Sequence, residues 1–164
     1  MVKKCGLNEK DIQTLKIGGL FHDIGKIGVP DSILLKQGKL TEDEYLEIKK
    51  HPSIGAQILS TATIFEDIIP IVKHHHERFD GKGYPLQLAG EQIPYLARIT
   101  AIADAYDAMT SKRPYREPLD INIVKDEINK NLGIQFDPEI GKVFLQILDT
   151  QYEIITKEAE KMYW

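Results

Sequence analysis

Apolar residues recur at helical spacing along most of the chain, and glycine and proline separate the stretches that carry it. Ile12, Leu15, Leu20 and Ile24 keep roughly to that spacing behind Asn8, a good helix cap, and predict a first helix over residues 9–23. Gly25, Gly28, Pro30 and Gly38 then break the pattern, so residues 25–40 read as a loop with a turn of helix in it. Thr41 and Glu44 have the spacing of a capping box and open a second helix over residues 42–50. Pro52 breaks or restarts it, and residues 53–59 are helical again. Ile68, Ile69 and Val72 share one side of a third helix over residues 65–76. Residues 80–94, with Gly81, Gly83, Pro85, Gly90 and Pro94, form a loop of the length that is functional or disordered in most compact domains. Pro94 suits the start of a helix over residues 95–110, and a basic, proline-containing loop follows over 111–118. Helices over 121–131 and 138–157 finish the chain, the last with Asp137 as cap and Pro138 at its first position. No stretch reads as a strand, so the predicted class is all-α. Residues 1–7 read as the last turn of a helix that ends at Gly6, its body absent.

Composition narrows the setting. The 164 residues carry a formal net charge of −4, with 28% charged and 42% hydrophobic residues, the balance of a soluble globular chain. The length predicts one domain over residues 1–164. Cys5 is the only cysteine, which excludes an intramolecular disulfide and fits a reducing, cytoplasmic setting. The mild acidity argues against a nucleic-acid polymer or an anionic membrane held by bulk charge. No apolar run approaches the ~18 residues of a membrane span, and the opening residues lack the apolar stretch of a signal peptide.

Candidate chemistry lies in the histidines and acids. All five histidines fall between positions 22 and 76, three of them consecutively. His22-Asp23 ends the first predicted helix, His51 ends the second just before Pro52, and His74-His75-His76-Glu77 ends the third. Asp104 and Asp107 lie three apart on one face of the helix over 95–110, inside an apolar stretch where a buried carboxylate needs a partner. Helices that each offer His or Asp to a common centre are the means by which bundle-core metal sites are built. Imidazole and carboxylate donors without thiolate suit Fe, Mn, Zn, Ni or Mg. A carboxylate such as Asp23 can bridge two ions, and two ions ~3.5–4 Å apart clamp an in-line displacement at phosphorus. Adjacent helical residues point ~100° apart, so at most two of the three consecutive histidines face one site; spacing alone leaves open which two. A second, basic set comprises Lys26, Arg113 and Arg116, and more loosely Lys112 and Arg98. Arginine forks and lysine point charges both suit phosphate oxygens.

These motifs resemble those of HD-GYP domains. His22-Asp23-Ile24-Gly25-Lys26-Ile27-Gly28-Val29-Pro30 looks like the family's opening motif. His75-His76-Glu77-Arg78-Phe79-Asp80-Gly81-Lys82-Gly83-Tyr84-Pro85 looks like its second, naming motif. Ala97-Arg98-Ile99, Ala103-Asp104-Ala105-Tyr106-Asp107-Ala108-Met109-Thr110 and Arg113-Pro114-Tyr115-Arg116 complete the series in compatible order and spacing, over about residues 6–148.

The resemblance implies an all-α HD-superfamily helical bundle of HD-GYP type, lacking its first helix and the regulatory domain that usually precedes it. It implies a metal-dependent phosphodiesterase that hydrolyses cyclic di-GMP to pGpG and/or GMP with a metal-activated hydroxide, in bacterial second-messenger signalling. The alternatives are a catalytically silent binding or docking module, and another HD-type nucleotide phosphohydrolase. Carried over by motif, the metal ligands are His22, Asp23, His51, His75, His76 and Asp104, with Asp23 bridging and His74 left as a bystander. Two divalent ions are implied, Fe or Mn first, with Zn, Ni or Mg as alternatives. Asp23 and Lys26 take the catalytic roles; Lys26, Tyr84, Asp107, Arg113 and Arg116 contact or flank substrate. Members of the family draw a third metal's ligands from the upstream helix, which this reading lacks. Some contact GGDEF diguanylate cyclase domains through the Gly-Tyr-Pro loop, and a homodimer is a further partner expectation.

Overall fold

The structure, a computed structural model, describes residues 5–112 and 117–162, with side chains described as far as residue 150. Arg113 and Arg116, and most of the helical turn predicted over residues 1–7, lie outside the described residues.

Helix α1 (Glu9–Phe21) opens on a reciprocal cap: the Asp11 amide donates to Asn8 Oδ1 at 2.9 Å and the Asn8 amide to Asp11 Oδ2 at 3.2 Å. A 3₁₀ turn (Ile24–Gly28) and the short α2 (Asp31–Leu34) follow. The capping box of Thr41 and Glu44 opens α3 (Glu42–Ile48) as its spacing predicts. Then come α4 (His51–Leu59), a 3₁₀ turn (Thr63–Ile68) and α5 (Ile69–His74). After the long loop, α6 (Tyr95–Thr110), α7 (Ile121–Lys130) and α8 (Pro138–Met162) complete the chain. Among the described residues there is no strand, only isolated bridges between Asp80 and Ala89 and between Leu132 and Phe136. No helix among them is long and apolar enough to cross a membrane.

Two boundaries differ from the sequence reading. His51 does not end the second helix; it is the first residue of α4, with Pro52 beside it in the first turn, where a missing N–H costs nothing. The single helix predicted over 65–76 divides into a 3₁₀ turn and α5. Pro70 sits in the first turn of α5 and cannot donate the bond that would continue an α-helix from residue 66.

Two apolar clusters flank the His/Asp region. One joins α6, α7 and α8 through Ile102, Val124, Ile128 and Leu148, each at most 1% exposed. The other joins α4, α5 and the preceding turn through Leu59, Ile68 and Val72, with Phe21 and Ile24 packed on it. The 3₁₀ turn after α1 lies directly on the start of α4. A Cβ at Gly25 would strike the His51 carbonyl oxygen, and would lie 2.5 Å from the Gly55 amide nitrogen. That approach of backbone to backbone carries Asp23 to His51. Gly25→Ala is therefore expected to lower unfolding free energy by about 3 kcal/mol, the upper range for overpacking against unyielding backbone, read from urea denaturation. An unchanged midpoint would refute the close approach.

Candidate metal centre

Three histidines share one local device. The Nδ1–H of His22 donates to Gly19 O at 2.7 Å, that of His51 to Ile48 O at 2.7 Å, and that of His75 to Val72 O at 2.8 Å. A carbonyl oxygen only accepts, so each Nδ1 carries the hydrogen and, in the neutral ring, each Nε2 presents a lone pair. The two inner Nε2 atoms face each other: His51 Nε2 lies 3.4 Å from His75 Nε2 and 3.3 Å from Asp23 Oδ1. Both rings are only 1% exposed. Burial, with His76 and His22 as neighbours, pushes His75 down to about 3, and burial with His51 pushes His76 down to about 4. The His75 and His76 rings are thus neutral at pH 7.

Asp23, His51, His75 and His76 each offer one donor atom, all within 4.8 Å of one another. Donors held about 2.0–2.1 Å from a single ion lie roughly 3–4 Å apart. The cluster therefore fits a divalent cation with little closure, and its chemistry, nitrogen and carboxylate oxygen, fits first-row metals. Backbone carbonyls behind metal-binding histidines are the usual orienting partners.

The second oxygen of Asp23 faces a different set. His22 Nε2 lies 3.3 Å from Asp23 Oδ2 and 3.8 Å from Asp104 Oδ1, and the Lys26 ammonium pairs with the same Asp23 oxygen. Burial works against charge on His22, but hydrogen bonding to Asp104 and Asp23 raises it to about 10. Burial would lift Asp23 too; bonds from His22, His51 and Lys26 outweigh it and hold its carboxyl well below the ordinary range. The same contest, decided by His22, lowers Asp104.

The predicted ligand residues are thus brought together, four in one tight group and His22 with Asp104 beside it. His74 stands apart, with Nδ1 3.6 Å from Glu77 Oε1. Tyr84 stacks on His76, ring centroids 4.9 Å apart, and burial pushes its phenol up. His75, His76, Asp104 and Tyr84 line a cleft of about 510 Å³ that extends past Tyr45 to Glu127 and Asn131. Asp107 sits on the next turn of α6, exposed, and accepts from the Ser111 hydroxyl at 2.9 Å.

Sequence reasoning missed three residues in or beside this cleft. Tyr45 and Lys49 lie four apart on and just beyond α3, and the Lys49 ammonium stands 4.5 Å from the Tyr45 ring centroid and 5.5 Å from that of Tyr84. Their helical spacing was visible; their closeness to Tyr84, far along the chain, was not. The third is Glu77, 2% exposed, which carried no signal beyond its place after the histidines.

A family model described as "HD domain" matches residues 1–140. The chain belongs to the HD domain family. This HD domain is 43% identical over 148 residues to the cyclic di-GMP phosphodiesterase response regulator RpfG of Xanthomonas campestris, covering 89% of the chain and 39% of that protein. It is 37% identical over 163 residues to a cyclic di-GMP phosphodiesterase of Thermotoga maritima, covering 98% of the chain and 44% of the relative. It is 38% identical over 146 residues to the 3'3'-cGAMP-specific phosphodiesterase 2 of Vibrio cholerae, covering 88% of the chain and 28% of the relative. The chain thus spans less than half the length of these relatives. The crystal structure of a cyclic GMP-AMP specific phosphodiesterase of V. cholerae shares the fold, with a TM-score of 0.71 over 92% of the chain and 41% of that chain, at 22% identity. The resemblance to HD-GYP domains and the all-helical class agree with these findings.

If the converging donors form the metal centre, His51→Ala weakens Mn²⁺ binding by roughly 100-fold or more in calorimetric titration, at least the loss seen when even an outer partner is removed. His74→Ala leaves the affinity within about threefold. Equal losses in both variants would disprove the assignment.

Proposed function

We propose that this HD domain is a metal-dependent phosphodiesterase acting on cyclic di-GMP, yielding pGpG and/or GMP. The observation that carries the reading is the convergence of donor atoms from Asp23, His51, His75 and His76 within 4.8 Å of one another, a set that suits a divalent cation. The two faces of Asp23 support a pair of ions. In this reading His51, His75, His76 and Asp23 would hold one, while His22, Asp104 and Asp23 would hold the other. Such a pair, when bound, supplies an activated water and positive charge at the scissile phosphate.

The chain's own residues do the rest. Asp23 fixes the separation of the two halves. Lys26, paired with Asp23 in the structure, places an ammonium where charge builds on the non-bridging oxygens in the transition state. Tyr84 flanks the cleft and offers an aromatic face to a base, and Asp107, Arg113 and Arg116 are the proposed substrate contacts by motif. The scissile linkage is the same in cyclic di-GMP and in 3'3'-cGAMP, which differ in one base. The metal centre therefore cannot choose between them, and the choice falls to the walls of the cleft. Cyclic di-GMP is preferred here because two of the three relatives described act on it by name. We also propose the Gly-Tyr-Pro loop as a docking face for a GGDEF domain, a homodimeric state and a cytoplasmic setting.

The test is turnover by the Mn²⁺- or Fe²⁺-loaded chain of cyclic di-GMP beside 3'3'-cGAMP, pGpG and nucleoside monophosphates, with products resolved by chromatography. Hydrolysis of cyclic di-GMP is expected, lost on chelation. Asp23→Ala is expected to reduce kcat by at least about 10³-fold, the scale of removing a principal electrostatic group, with the circular dichroism spectrum unchanged. A metal-replete protein that binds cyclic di-GMP without cleaving it would make this chain a binding module instead.

A further inference from the structure

The loop over residues 80–94 has almost no secondary structure, yet it is tied down at close intervals. Glu77 is the chief tie. Its side chain is fully buried, and its two oxygens take separate bonds from the loop: the Leu86 amide donates to Oε1 at 2.7 Å and the Leu88 amide to Oε2 at 3.1 Å. Those amides lie nine and eleven residues downstream. A buried carboxylate that takes its hydrogen bonds from loop amides is stable only while the loop returns to it.

The return path passes the site. Between Glu77 and its partners the chain carries Tyr84, whose amide donates to His76 O at 3.2 Å and whose ring stacks on the His76 imidazole. Gly83 lies so close to the backbone of residues 76–78 that a Cβ there would strike the Arg78 amide nitrogen. The Arg78 guanidinium meanwhile holds Asp80 by two bonds of 3.1 and 2.9 Å. His75 and His76 belong to the donor cluster, and the next residue, Glu77, accepts from the loop amides.

We propose that Glu77 is a positioning residue: its carboxylate clamps Leu86 and Leu88 so that Tyr84 is held as the wall of the cleft against His76. It acts through Tyr84 and not through the metal ligands. Its value therefore shows with a substrate large enough to reach Tyr84. The functional part rests on the phosphodiesterase reading above; the structural part does not.

The experiment uses the full metal-loaded chain and its Glu77→Gln, Tyr84→Ala and double variants. Gln keeps the shape and one acceptor but turns an NH₂ toward a backbone donor. Two readouts are taken. Amide hydrogen exchange at Leu86 and Leu88 is expected to rise at least tenfold in Glu77→Gln, with α6 and α7 unchanged. Kinetically, KM for cyclic di-GMP is expected to rise about tenfold, while metal content and turnover of bis(p-nitrophenyl) phosphate, too small to need the wall, stay within twofold. Tyr84→Ala should reproduce the KM rise, and the double variant should be no worse than Tyr84→Ala alone. Unchanged exchange, loss of metal, an equal fall for both diesters, or losses that multiply in the double variant would each overturn the proposal. Should the wild-type chain cleave no cyclic dinucleotide, the functional reading fails on that result, and exchange alone decides the clamp.

Discussion

The site depends on one repeated bond, an imidazole Nδ1–H given to a carbonyl three residues earlier. Gly19, Ile48 and Val72, the acceptors, lie in the last turns of α1, α3 and α5, where carbonyls have no intrahelical partner. The histidine thus closes the helix end and has its own tautomer fixed in the same contact. Three helices end this way around one point, so three Nε2 atoms are set before any ligand arrives. The helices around the site are interrupted accordingly: one of these histidines stands just past the end of α1 and of α5, and one at the junction of α3 and α4. A long continuous helix would bury its carbonyls in its own ladder and leave the rings free to turn.

Holding acceptors face to face is unfavourable without a cation, and the packing around them must resist their separation. The apolar clusters on either side do so, together with the contact at Gly25, where backbone meets backbone and no side chain can yield. The positive charge present in the protein itself gathers on the other face of Asp23, as the Lys26 ammonium and a protonated His22. The asymmetry is informative. The inner rings of His75 and His76 are neutral, while the outer face of Asp23 carries two positive charges. His22 would have to give up its Nε2 proton to serve as a metal ligand, since a histidine binds metal in its neutral form.

Much of this was legible in the sequence because the relevant signals were side-chain types at fixed spacings. Asn8, the Thr41 and Glu44 box and Asp137 marked helix starts, and each makes its cap bond in the structure. The ligand residues were legible as a set, through their motif order. What failed were boundaries at proline. Pro52 signals a break or a restart, and Pro70 lies inside the stretch read as one helix; a missing N–H is tolerated in a first turn as readily as it ends a preceding one, so the residue alone does not say which side it serves. The pairing of Tyr45 and Lys49 with Tyr84 was hidden because tertiary packing brings them together. Glu77 was hidden for a different reason. Its partners are backbone amides, which every residue but proline carries, and no pattern of side chains reports which amides will return to a buried acid.

That last point bears on how the cleft recognises a ligand. A stretch of this length would ordinarily be mobile, and ordering it on binding would consume part of the interaction energy. Here the cost has been met within the fold. Glu77 holds the middle of the loop, the Asp80 amide donates to Ile134 O at 2.8 Å near its start, and the Gly90 amide donates to Phe79 O at 2.9 Å near its end. The wall is tied at one edge to the histidine segment and at the other to the turn after α7. Its position is therefore set by the same elements that set the donor cluster, and the distance from that cluster to the wall is a fixed property of the fold. A ligand that fits this span needs no closure of the loop, and one that does not cannot gain by induced fit without breaking bonds to a buried carboxylate.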